Sequence, residues 1–380
     1  MVSLAVIISL AALSLIALTY VVYPVWQLIF PGKPMDFTGE FTPPLVSVVF
    51  AAYNESSIIE AKIRSIYNTN YPIDKLSVWI GSDLSNDGTD EIIRNLQSEF
   101  PQLNLHVNDV RSGKSATINS LIEQTTAEVI IATDANILFK ETTIEELVRP
   151  IALQKATAVA GTLAYEAGGV INSTATNEKV YLSLENAIRR AESRKHGICF
   201  GMEGGLYSMR KSFWKPIPPN TFMEDFFQTV QLIASDQKVL FNEAAIGLED
   251  VSTSLREEYK RKIRISIGNW QNLIRFYPLL FKHPYPFGIL FLMHKVLRWL
   301  TPHLYLIALI AGLFTSQWMI ISIVLIGLPV SQFILMSFGL ATPLAYFYVM
   351  NTALFVGFLR YLKGVKSSVW QPTKRNQHES

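Results

Sequence analysis

The sequence predicts an α/β protein: a mainly parallel sheet with helical crossovers, carried between N- and C-terminal transmembrane helices. Three observations lead there. Short runs rich in β-branched residues alternate with stretches of helical periodicity between residues 45 and about 135. Three of those runs end in polar clusters, at Tyr53–Glu55, Asp83–Thr89 and Asp134–Asn136. Finally, 49% of the 380 residues are hydrophobic, too many for one ordinary soluble domain and in keeping with a soluble domain plus membrane segments.

Residues 1–30 read as an N-terminal transmembrane anchor. Val2 to Val22 carries no charge and is long enough to cross a bilayer. A signal peptide is the competing reading, but the start lacks Lys or Arg, the apolar part is long, and no small-residue cleavage pattern follows. Tyr23 and Trp26 suit the interface. Residues 31–44 hold four prolines and read as a linker that resists helix and packed strand.

The soluble domain is expected over 45–254. Leu45–Ala52 reads as the first buried strand, followed by a helix from Ser56 to about Asn68 whose apolar stripe is Ile58, Ile59, Ile63 and Ile66. The second strand, Leu76–Gly81, leads through Ser82–Thr89 into a helix that starts near Thr89. The third, Leu103–Val107, leads to Arg111-Ser-Gly-Lys114 and a helix carrying Asn119. The fourth, Val129–Ala132, ends on Asp134-Ala-Asn136. Alternation of this kind indicates βαβ units and a parallel sheet, which brings the carboxyl ends of its strands to one edge, where ligands bind. A carboxylate and a second oxygen donor at such an edge can hold a hard divalent cation against a diphosphate. Asp-x-Asn alone also fits a strand ending in an Asx turn, and each of the other clusters alone fits an ordinary turn.

Other classes are disfavoured. A net charge of +2 does not argue for a nucleic-acid partner, and the single cysteine, Cys199, excludes an intramolecular disulfide. The first strand runs into Tyr-Asn-Glu and not G-x-G-x-x-G, against a dinucleotide oxidoreductase.

Taken together and in order, Ala-Ala-Tyr-Asn-Glu55, Ser-Asp-Leu-Ser-Asn-Asp-Gly-Thr89, Gly113-Lys114 with Asn119, and Thr-Asp-Ala-Asn136 resemble family 2 glycosyltransferases. Phe-Met-Glu-Asp225 is similar to the family's Thr-Glu-Asp motif, with Met223 in place of Thr. Arg261-Lys-Ile-Arg264 stands where processive polysaccharide synthases carry QxxRW, with Arg261 for Gln and no Trp directly after Arg264. The resemblance implies a GT-A (Rossmann-like) catalytic domain and an inverting transfer from a nucleotide-diphosphate sugar, expected to be UDP-linked, to a polysaccharide or a lipid acceptor. It places Tyr53, Glu55, Asp83, Lys114, Asp134, Arg261 and Arg264 at the nucleotide sugar, and Asp134 with Asn136 on Mg2+ or Mn2+. Asp225 becomes the general base. Glu224 orients the site beside it, although an acid at a helix start also serves the helix dipole. The glycines of Gly201-Met-Glu-Gly-Gly-Leu-Tyr-Ser208 suggest either close backbone approach to the acceptor at Gly204 or a tight turn before a strand, and Trp270 is assigned to the acceptor as well.

The remaining segments read as membrane parts. Residues 255–299 are expected to form interfacial helices: Arg256, Lys260, Arg261, Lys262 and Arg264 lie beside Ile263, Ile267, Trp270, Ile274 and Tyr277 at helical spacing. His294, Lys295 and Arg298 make Phe287–Trp299 a poor free-standing span. Within 300–364 the candidate spans are Leu300–Phe314, Trp318–Phe338 and Pro343–Leu362. Arg360, Lys363, Lys366, Lys374 and Arg375, the last three in a 365–380 tail, argue for a cytosolic C-terminus, as nucleotide sugars argue for a cytosolic catalytic domain. Protein partners are not specified by the sequence.

Overall fold

A computed structural model of the chain describes residues 4–165, 173–202, 204–249, 255–315, 323–337 and 342–364. The chain divides into two compact units, one built on a sheet and one on apolar helices.

The sheet unit comprises Pro31–Gly169 and Arg189–Thr253. Its strands are β1 (Val46–Ala52), β2 (Leu76–Ser82), β3 (Leu103–Val107), β4 (Val129–Thr133), β5 (Leu138–Phe139), β6 (Ala158–Tyr165), β7 (Leu206–Arg210) and β8 (Val239–Glu249). The order across the sheet is β3-β2-β1-β4-β7-β6-β8-β5. The first four strands form the parallel half read from the sequence, with Val46 opposite Leu76 on one side and Val129 on the other. Beyond β4 the sheet is mixed: β7 runs antiparallel to both β4 and β6, β6 is parallel to β8, and β5 is antiparallel to β8. β1, β2, β3, β4, β6 and β8 therefore run one way and β5 and β7 the other, so the sheet is mainly parallel as expected, with two reversed strands that apolar runs alone do not reveal.

Both faces of the sheet are covered. All seven residues of β1 are buried, so it reads as a continuous apolar run and not as an alternation. Ile59, Ile63 and Ile66 of the helix Ile59–Tyr67 pack with Val48, Phe50, Ile80 and Ile131 in one core. That helix starts later than the sequence reading because the backbone of Glu55 caps it: Ile58 N and Ile59 N both donate to the Glu55 carbonyl. Residues 31–44 form neither helix nor strand, yet they are not a free linker. Met35, Phe37 and Phe41 pack against the sheet core, and Arg149 donates to the Gly39 carbonyl at 3.1 Å.

The helical unit comprises Met1–Phe30, Val170–Ile188 and Ser254–Gly364. Among the described residues, two helices are long and apolar enough to cross a membrane, Leu4–Ile29 and Pro284–Leu313. The second joins the expected interfacial stretch Phe287–Trp299 to the short candidate Leu300–Phe314. The charges that make this stretch look unfit as a span meet a buried carboxylate. Glu185 takes His294 Nε2 at 2.9 Å, Arg298 Nη1 at 2.6 Å and the Lys295 ammonium. The basic segment after residue 254 is a 22-residue helix, Leu255–Phe276, which packs on the helix Pro343–Leu362. A Cβ at Gly357 would lie 2.3 Å from Ser266 Cβ, and Ser266 Oγ donates to the Leu354 carbonyl at 2.6 Å, the close approach that small residues permit between apolar helices. The candidate Trp318–Phe338 lies partly, and the tail with Lys366, Lys374 and Arg375 wholly, outside the described residues.

Candidate active site

The first two strand-end clusters close on one another. Asn54 adopts a left-handed backbone, φ 54°, which turns the chain sharply out of β1. Its amide donates to Ser85 Oγ at 3.2 Å, and its side-chain oxygen accepts from Asn86 N at 3.0 Å. Glu55 N donates to Thr89 Oγ1 and Ser56 N to Asp87 Oδ2. Asn, Asp and Ser act here as turn formers, and their joint effect is to fuse the exits of β1 and β2 into one rim.

Asp83, just past β2, is fully buried and saturated. One carboxylate oxygen accepts from Ser112 N at 2.7 Å and Asn108 Nδ2 at 3.0 Å. The other accepts from Arg111 Nε at 3.0 Å and Gly113 N at 3.1 Å. Asp83 therefore holds segment 108–113, and the nucleobase contact that the motif implies would fall on this same carboxylate. That segment carries a residue the sequence reading did not assign: the Arg111 guanidinium lies 3.3 Å from the centre of the Tyr53 ring, a flat stacked pair on the rim.

The same segment delivers Lys114. Gly113, at φ 79°, takes a conformation suited to glycine and precedes the helix Lys114–Gln124. This helix sits tightly on β2, since a Cβ at Gly81 would lie 2.1 Å from the Thr117 methyl. It also anchors the segment before the next acidic pair. Asn119 exchanges hydrogen bonds of 2.9 and 3.0 Å with Ile217, and Ser115 Oγ donates to the Thr221 carbonyl at 3.0 Å. Met223 then turns through a left-handed conformation, φ 56°, unusual for a non-glycine residue. Glu224 and Asp225 follow in the first turn of the helix Glu224–Ala234.

These constraints converge on Lys114. Its Nζ lies 2.6 Å from Asp134 Oδ1, just past β4, and also pairs with Glu224. Burial alone would depress the Lys114 pKa, but these two carboxylates hold it above its ordinary value. Asp225 is buried beside them. Desolvation first, and then the charge of Glu224, push its pKa up to about 7, against the pull of Lys114 and of the Phe226 amide. Gly204 faces the same point, since a Cβ there would stand 3.5 Å from Lys114 Nζ and 3.6 Å from the Asp225 carboxylate. The missing side chain leaves a recess next to the acid. Tyr207 of β7 is a second residue the sequence reading left unassigned. Burial, and then Glu224 and Asp225, keep its phenol protonated.

Asp134 and Asn136 fit a hard divalent cation in kind. The Asp134 side chain is 39% exposed, and both residues offer oxygen donors from one turn. The buried Nδ2 of Asn136 has no hydrogen-bond partner, so that amide is not locked into the turn through its nitrogen. Among the described residues no group of three or more His, Cys, Asp or Glu is placed to hold an ion, so Asp134 and Asn136 would offer such a cation two side-chain oxygen donors.

Arg261, Arg264 and Trp270 belong to the helical unit. There Arg261 Nε lies 3.2 Å from Glu258, and Trp270 packs against Phe358 and edge-on to His303, at 4.5 and 5.3 Å between ring centres. The acceptor role expected of Trp270 thus meets a ring engaged in helix packing. The diphosphate clamp expected of Arg261 and Arg264 rests on the motif alone.

Comparison with known proteins bears on the family and the fold. Residues 47–215 match the family model described as glycosyl transferase family 2. A beta-monoglucosyldiacylglycerol synthase of Trichormus variabilis is 31% identical over 109 residues, 28% of this chain and 23% of that protein. A poly-beta-1,6-N-acetyl-D-glucosamine synthase of Staphylococcus epidermidis is 24% identical over 241 residues, 61% of this chain and 57% of that protein. The chain thus spans less than two thirds of either relative. A mannosyltransferase from Pyrobaculum calidifontis, solved in complex with GDP-Man and Mn2+, superposes with a TM-score of 0.70 at 21% identity, covering 93% of this chain and 99% of that one. The likeness at that identity is one of fold, and the fold is GT-A. The sheet and the family match agree, and residues 47–215 are the part of the chain similar to family 2 glycosyltransferases.

Proposed function

We propose that the protein is a membrane-embedded, inverting glycosyltransferase that moves a hexosyl or N-acetylhexosaminyl group from a nucleotide-diphosphate sugar to a growing polysaccharide. The observation that carries this reading is the single cluster of Lys114, Asp134, Glu224 and Asp225 facing the Gly204 recess. The acceptor hydroxyl enters that recess, and Asp225 takes its proton as it attacks the anomeric carbon. A pKa near 7 suits a base working near neutral pH, and such catalysis contributes about 10²–10⁴-fold. Direct attack displaces the nucleoside diphosphate and gives a β-linked product from an α-linked donor. Lys114, aligned by Asp134 and Glu224, presents its ammonium to the diphosphate. Tyr53, Glu55 and Arg111 line the nucleotide side, with UDP the expected nucleotide. Asp134 and Asn136 would hold Mg2+ or Mn2+, which when bound neutralises charge on the departing diphosphate.

The helices Leu4–Ile29 and Pro284–Leu313 support a multi-pass protein of the cell (inner) membrane, and the need for nucleotide sugars supports a cytosolic catalytic domain. A second reading, transfer of one sugar to a lipid, is favoured by the 31% identity to a glucosyldiacylglycerol synthase and by the absence of Trp after Arg264. Membranes containing the protein, given a panel of nucleotide sugars and followed by product sizing, separate the two. A long polymer supports the first reading and a single-sugar lipid the second. Absence of any transfer or hydrolysis contradicts both.

A further inference from the structure

Lys62 lies on the sheet-facing side of the helix Ile59–Tyr67, wholly buried, at a position the apolar stripe would give to a hydrophobic residue. A lysine in such a place needs partners, and its partners are informative. Lys62 Nζ donates to Thr133 Oγ1 at 3.1 Å and to the Ile137 carbonyl, and it sits 3.9 Å from the centre of the Phe139 ring. Thr133 Oγ1 passes its own proton on to the Gly205 carbonyl at 2.7 Å. Ile137 closes the turn that begins at Asp134, its amide donating to the Asp134 carbonyl at 3.2 Å. One amine therefore ties together the turn carrying Asp134 and Asn136 and the backbone next to Gly204. Burial lowers the Lys62 pKa well below the ordinary lysine value, but a neutral amine still has two N–H groups for these two acceptors.

We infer that Lys62 is a positioning residue for sugar transfer. It touches neither substrate nor cation, and it sets the spacing between the cation-side oxygens of Asp134 and Asn136 and the acceptor-side backbone at Gly204-Gly205. The inference rests on the glycosyltransferase reading. Outer-shell groups that orient ligands commonly change metal affinity or activity by about 10- to 100-fold when removed.

The test compares Lys62→Met, close in shape but without donors, with Ile66→Ala, a fully buried change one turn further along the same helix that removes no hydrogen bond. Full-length protein in detergent is titrated with Mn2+ in the presence of UDP, and separately GDP, and free Mn2+ is read by electron paramagnetic resonance. Melting temperature is followed in parallel. The expected result is Mn2+ binding weakened about tenfold or more by Lys62→Met and unchanged by Ile66→Ala at comparable loss of melting temperature. If Lys62→Met does not fold, Thr133→Val, which removes the shared hydroxyl, is expected to weaken Mn2+ binding in the same direction. Native binding left intact in whichever of these two variants folds overturns the inference alone. A native protein that binds no Mn2+ with either nucleotide overturns the cation reading and the inference with it.

Discussion

Asp83→Asn separates a structural role for Asp83 from the nucleobase contact that the sequence motif implies. The substitution keeps the shape and one acceptor oxygen but replaces the other with an amide that donates. Either Gly113 N and Arg111 Nε, or Ser112 N and Asn108 Nδ2, are then left facing a donor. Hydrogen bonds to a charged group contribute about 1.5–3 kcal/mol each, so two lost bonds give about 3–6 kcal/mol. The Arg111 side chain is 24% exposed and water can recover part of its share, which places the cost nearer the lower end, about 3 kcal/mol. At roughly 2–4 °C per kcal/mol for a unit of this size, melting should fall by about 6–12 °C. Segment 108–113 delivers Lys114, so the KM for the nucleotide sugar should rise as well. The assay is intrinsic-fluorescence melting of full-length protein in detergent, paired with steady-state kinetics. A raised KM with melting shifted by less than about 2 °C would refute the saturation argument and return Asp83 to direct nucleotide contact.

Two further predictions concern the acid and the recess. Because Asp225 works as a carboxylate and its pKa is pushed up to about 7, transfer should rise with pH through about 7 and fall roughly tenfold per unit below it; a rate flat down to pH about 5 contradicts the assignment. Gly204→Ala meets Lys114 and Asp225 only at ordinary contact distance and needs no backbone strain, so melting should hold within about 2 °C. The added methyl occupies the acceptor's space, so the acceptor KM should rise by about tenfold or more while nucleotide affinity changes little.

The parallel half of the fold was legible because buried strands and amphipathic helices have different periods. The runs ending at Ala52, Ser82, Val107 and Thr133 fell within a residue or two of expectation. The mixed half was not, because β5 has two residues and strand direction leaves no trace in local composition. At the site, Lys114, Asp134, Glu224 and Asp225 were readable as motifs. Arg111 was not, since its role depends on Asp83 turning it towards Tyr53. Lys62 was hidden by its position in an apolar stripe, where periodicity alone shows a lysine out of place but not what it bonds to. The partner of the Phe287–Trp299 charges was hidden for a related reason: Glu185 is over a hundred residues away in sequence.

The most direct test of the central claim, that one cluster performs sugar transfer with Asp225 as its base, is the turnover of Asp225→Asn with the donor found in the nucleotide-sugar panel. Nucleotide binding and melting are measured on the same preparation. The predicted result is a rate lowered about 10²–10⁴-fold with nucleotide affinity within about threefold of native. Undiminished transfer by folded Asp225→Asn protein would contradict it.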